Sequence, residues 1–172
     1  MTNSTFHWTC IKCDKEIPQH LEYCSECEEK QYRKIGGLLY LPFINMLFIA
    51  YAYFNSMAVT LSAGMETVGR LPLSQTTYLF VASGINLVFL LFIIYIVSLF
   101  LRKKKELPLA YCALLVSGIA LMLIDRVATS YIFPQISLNM AQIMPIIMHV
   151  IYACIWIPYF RTSVRVKKTF IW

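Results

Sequence analysis

Six cysteines occur in the 172-residue chain, and four of them stand in two pairs, Cys10-Ile-Lys-Cys13 and Cys24-Ser-Glu-Cys27, with ten residues between the pairs. Two residues between cysteines place both sulfurs on one tight turn, at two corners of a tetrahedron. Two such knuckles close a four-thiolate site with metal–sulfur bonds of about 2.3 Å. The expectation is one structural Zn2+ held by Cys10, Cys13, Cys24 and Cys27 in a small ribbon whose fold depends on the metal. Four thiolates fill the coordination sphere and leave no open position for catalysis. A thioredoxin-like redox motif needs one C-x-x-C in a βαβ unit, and no such unit is legible here. His7 and His20 are nearby but surplus to the four ligands, and Cys112 and Cys154 read as core packing residues.

A second set of polar side chains, Asn45, Asn86, Gln142 and His149, is scattered through otherwise apolar runs. Polar groups inside a bundle of apolar helices face one another or a cavity. The plainer reading is hydrogen bonding between helices, at about 0.6 kcal/mol each. The sharper one is a cavity lined for a polar or lipid substrate. Asp125-Arg126 closes the third apolar run and reads as a marker of the membrane interface, with a paired substrate site as the alternative. No group of ionisable residues has the spacing of a catalytic motif, so no enzyme is expected.

These residues must be positioned by membrane helices. The chain is 59% hydrophobic and 14% charged, against about 25% charged in soluble domains. Apolar runs cover about residues 38–57, 77–101, 107–124 and 139–160, each long enough to cross a hydrocarbon core of about 30 Å. The last is interrupted by Pro145 and Pro158, and Val59 to Thr76 reads as a loop. The expected architecture is all-α. A cytosolic zinc ribbon (1–34) precedes a bundle of four transmembrane helices in two hairpins (35–160), and a basic tail follows (161–172). No signal peptide is apparent, and Met1 to Thr5 reads as a disordered leader.

Charge fixes the orientation. Arg102, Lys103, Lys104 and Lys105 lie between the second and third runs, and Arg161, Arg165, Lys167 and Lys168 follow the fourth. A charge at mid-bilayer costs about 2.5–3.5 kcal/mol on insertion scales, so such blocks stay in water, and positive loops stay in the cytoplasm. With both termini inside, thirteen Lys or Arg fall on the cytosolic side and two, Arg70 and Arg126, on the other. The cysteines then sit in a reducing compartment, which argues against disulfides. Residues 1–35 carry five basic and six acidic side chains, so a nucleic-acid reader is not expected there. The basic loop and tail suit anionic lipid contact.

Ile35-Gly36-Gly37-Leu38-Leu39-Tyr40-Leu41-Pro42 opens the first run, and Pro158-Tyr159-Phe160-Arg161-Thr162-Ser163-Val164-Arg165-Val166-Lys167-Lys168-Thr169-Phe170 closes the last. These stretches resemble the YdgK-like bacterial inner-membrane family, a family of unknown function. The resemblance implies four spans in the bacterial cytoplasmic membrane, with an N-terminal zinc ribbon in some members. It implies no chemistry. The function expected from the residues is that of a membrane-anchored interaction or assembly protein with a cytosolic docking face, joined to a protein partner or to further copies of itself. The alternative is a transport or lipid-handling component.

Overall fold

The computed structural model describes residues 8–19, 21–32, 37–135 and 139–170. The expected leader Met1–Thr5, the surplus His7 and His20, and the basic Arg33 and Lys34 lie outside the described residues. The chain divides into two compact units, Met1–Gly37 and Leu38–Trp172.

In the first unit, residues 8–17 fold back on themselves. Cys10 N–H donates to the Lys15 carbonyl at 2.8 Å, and Ile17 N–H donates to Trp8 at 2.9 Å. The reversal is made at Asp14, whose φ of 55° lies in the left-handed region, one that Asp tolerates better than most residues. The small cysteine unit expected here is built with almost no strand pairing. Among the described residues this unit holds one isolated antiparallel bridge, Thr9 with Glu16, and one helix, α1 (Ser25–Tyr32). Pro18 and the brevity of the interval leave little chain for a ladder. Glu26 and Glu28 favour helix by facing the positive end of its dipole.

The second unit contains four helices long and apolar enough to cross a membrane, as befits a multi-pass membrane protein. They are α2 (Tyr40–Thr67, entered by a 3-10 turn at Gly37–Leu39), α3 (Leu73–Leu101), α4 (Leu107–Ile132) and α5 (Met140–Thr162). Sequential neighbours pack together: α2 on α3, α3 on α4, α4 on α5. Several features of these helices differ from expectation. Helix α2 continues ten residues past Met57 to Thr67, through the first half of the expected loop. The Thr60, Ser62 and Thr67 hydroxyls bond to carbonyls three or four residues back, so these residues are absorbed by the helix and do not break it. Helix α4 runs through Asp125-Arg126 to Ile132. Helix α5 is continuous across Pro145 and Pro158, as transmembrane helices allow when neighbouring groups take up the freed carbonyls.

The turn between α3 and α4 is tightly built. Lys104 N–H donates to Leu99 and Lys103 N–H to Phe100, with Lys103 at a φ of 53°. This is a Schellman cap with Lys where Gly is usual. Its cations lie at the negative end of the α3 dipole.

The densest packing lies at this basic end. Leu39, Phe100, Leu107, Tyr111, Phe160 and Val166 are buried there. The expected tail is part of this core: α6 (Val164–Thr169) leads to Phe170, whose ring lies 5.4 Å from Phe100, itself stacked at 5.0 Å on Phe43. A buried Phe ring contributes about 3 kcal/mol or more, and an isolated six-residue helix has no stability of its own. Phe170→Ala is therefore expected to speed amide exchange across Val164–Thr169 by about a hundredfold while α2 to α5 keep their protection. Unchanged exchange in α6 would show that Phe170 does not hold it.

Candidate metal centre and membrane cavity

Two elements of the first unit bring the cysteines together. The turn at residues 10–14, closed by Asp14 N–H to the Cys10 carbonyl at 3.0 Å, presents Cys10 and Cys13. Cys24 stands just before α1 and Cys27 in its first turn, and Ile11 N–H donates to Glu22 at 3.2 Å across the two halves. Lys15 Nζ meets Glu26 Oε2 at 2.9 Å; this pair is exposed, so it orients the knuckles more than it stabilises them.

The four sulfurs lie within 4.8 Å of one another, and Cys13 and Cys24 are 3.4 Å apart. A tetrahedron with metal–sulfur bonds of about 2.3 Å has edges of about 3.8 Å, so a single ion fits among them. The electrostatics agree. The Cys24 backbone N–H draws the Cys10 thiol down to about 6. Hydrogen bonding to Cys13 first, then to Cys24, holds the Cys27 proton on and pushes it up to about 12. Four thiolates at this spacing repel one another unless a cation sits between them, and a bound metal displaces the remaining protons. Cys112 and Cys154 belong to α4 and α5, outside this cluster. Purified wild-type protein is expected to carry one metal ion per chain and the Cys10→Ser/Cys13→Ser variant none, by elemental analysis, with Cys112→Ser unchanged. Metal retained in the double variant would place the ion elsewhere.

In the second unit, α2, α3 and α4 line a half-open cavity of 620 Å³. Its polar end is built by Tyr78 from α3 and by Asp125, Arg126 and Thr129 from α4. The Tyr78 hydroxyl donates to Asp125 Oδ1 at 2.6 Å and is met by Thr129 Oγ1 at 2.9 Å. So short a bond is that of a donor to a carboxylate. Arg126 Nη2 lies 3.8 Å from Asp125 Oδ2.

A family model described as "Protein of unknown function (DUF2569)" matches residues 32–171. The chain belongs to the DUF2569 family. No curated protein and no solved structure matches it. The DUF2569 match covers the four apolar helices, the basic turn and the cavity, whereas all four clustered cysteines precede it.

Of the four polar residues singled out in the DUF2569 helices, Asn86 lines the cavity, donating to Ser56 Oγ at 3.2 Å. Asn45 sits elsewhere, beside Tyr111 and Tyr152, whose hydroxyls bond at 3.2 Å. Gln142 lies in the first turn of α5, its N–H capped by Asn139 at 3.2 Å, and His149 stands farther along the same helix. Neither is among the cavity's lining residues. Among the basic residues, Arg102, Lys105, Arg161, Lys167 and Lys168 are exposed, and Lys103, Lys104 and Arg165 are partly covered. Tyr78 and Thr129 belong to no motif legible in the sequence. Part of the signal is there nonetheless: Met122, Asp125 and Thr129 recur at helical spacing on one face of α4, with Phe133 just past its end.

Proposed function

We propose that this protein is a non-catalytic, membrane-anchored interaction or assembly protein whose N-terminal unit is a docking module held by one structural Zn2+. Exposed apolar surface around the thiol cluster carries this reading: Ile11, on the tip of the first knuckle, is 72% exposed, and Trp8 and Leu21 are also open to solvent. A four-thiolate site offers no coordination position to a substrate, and its ligand set suits zinc. Its role is then to hold a small surface in shape. Exposed apolar side chains on so small a unit mark a place where another protein binds.

The same reading places the protein in the bacterial cytoplasmic membrane with both termini inside, in keeping with its resemblance to YdgK-like inner-membrane proteins. Lys and Arg residues supply the support. With Arg126 inside α4, the loop between α2 and α3 carries Arg70 alone, against thirteen basic residues on the opposite face. Cysteines introduced at Glu66 and Lys104 are expected to label from opposite sides of the membrane, Lys104 from the cytosol. Labelling of both from one side would end the four-span topology.

Docking is tested by crosslinking and co-purification from native membranes. Ile11→Asp is expected to lose the captured partners while retaining zinc and full insertion. Cys10→Ser/Cys13→Ser is expected to lose both zinc and partners. If Ile11→Asp and the cysteine variant keep every partner of the wild type, the N-terminal unit is not the docking module.

A further inference from the structure

The cavity between α2, α3 and α4 owes nothing to the docking module, and its depth and polarity are informative. Heights along the helices come from a rise of about 1.5 Å per residue. Leu107 starts α4 directly after the charged turn, which must remain in water. Eighteen residues separate Leu107 from Asp125, about 27 Å of helix. In a hydrocarbon core of about 30 Å, Asp125 and Arg126 therefore stand at its far edge, at the level of lipid headgroups. Asn86 lies fifteen residues before the end of α3 at Leu101, about 22 Å from the same turn and within the hydrocarbon. The cavity thus runs from headgroup level into the acyl-chain region, with its charged end outermost.

That charged end is unfinished. Tyr78, itself met by Thr129, holds one oxygen of the Asp125 carboxylate. The other oxygen faces Arg126 at 3.8 Å, too far for a hydrogen bond. Acid and base are therefore held side by side without satisfying each other. Deeper in, Asn86 and Ser56 bond to each other, and the surface left for an occupant is apolar, with Ala82, Ile85, Leu121 and Met122 on it. Lipid headgroups bring their own charges to this level. A simple anion would be repelled by Asp125 and a simple cation by Arg126. A purely apolar molecule would leave both without partners.

We propose that this cavity binds a zwitterionic phospholipid from the leaflet opposite the basic turn, with its phosphate on Arg126, its ammonium on Asp125 and one acyl chain along the apolar wall. The volume of 620 Å³ lies within the range of about 300–1,000 Å³ usual for small-ligand sites. It accommodates a headgroup and one chain, the second chain staying in the bilayer.

The test is native mass spectrometry of the full-length protein with three probes. These are phosphatidylethanolamine, phosphatidylglycerol with the same chains, and glycerophosphoethanolamine, which has the head without the chains. The wild type is expected to retain phosphatidylethanolamine about tenfold better than phosphatidylglycerol, the effect of one charge-assisted contact, and not to retain the chainless head. Asp125→Asn is expected to erase the preference, and Arg126→Gln to weaken retention of both lipids by a similar factor. Equal retention of the two lipids by the wild type overturns the proposal. So does a preference that survives Asp125→Asn, or binding of the chainless head as strong as that of the lipid. If Asp125→Asn does not fold, Arg126→Gln decides: undiminished phosphatidylethanolamine retention rejects the site.

Discussion

Water is missing along about 30 Å of each apolar helix, so every backbone N–H and C=O at that depth must be bonded within its own segment. This one constraint orders most of the larger unit. It keeps α5 helical across two prolines, and it turns the Ser117 hydroxyl back onto the Ala113 carbonyl of α4. With apolar side chains free to face lipid, many large ones lie outward, Phe48, Tyr51, Val88 and Leu91 among them. What then distinguishes one helix face from another is the small number of polar and aromatic side chains that must find partners inside.

Those partners divide unequally between the two ends of the bundle. At the basic end, aromatic rings close on one another: Tyr111 lies 4.4 Å from Phe160, and Phe100 sits between Phe43 and Phe170. At the other end, hydroxyls and charges do the linking, and Gln75 of α3 reaches the Ile132 carbonyl of α4 at 3.1 Å. A tightly packed end and a hollow, polar end are thus built into the same helices. The N-terminal unit solves a different problem. Too short for a hydrophobic core of its own, it gathers four thiols close enough to hold a metal ion.

Local patterns carried most of this architecture. The cysteine spacing marked the cluster, and apolar runs bounded by charge marked four helices, because each signal lies within a few residues of chain. Boundaries were less legible. Counting a bilayer's thickness stopped the first run at Met57, but α2 extends beyond hydrocarbon into surroundings where Ser, Thr and Gly are tolerated. Contacts between distant segments left almost no trace. Nothing near Tyr78 announces Asp125, forty-seven residues away, and nothing in the basic tail announces that Phe170 belongs beside Phe100. Asn45, Asn86, Gln142 and His149 looked alike as polar residues in apolar runs. Helical phase and depth, which composition does not record, gave them different surroundings.

The capped turn at Lys103 has a consequence beyond stopping a helix. Because Lys103 and Lys104 bond back to Phe100 and Leu99, the connection is a rigid corner rather than a tether, and it sets the rotational phase at which α4 starts. Each residue of an α-helix advances about 100° around its axis. A corner longer or shorter by one residue would aim Asp125 at a different neighbour altogether. The water-exposed elbow at one surface thereby acts as the dial for chemistry at the other, some 27 Å away along α4.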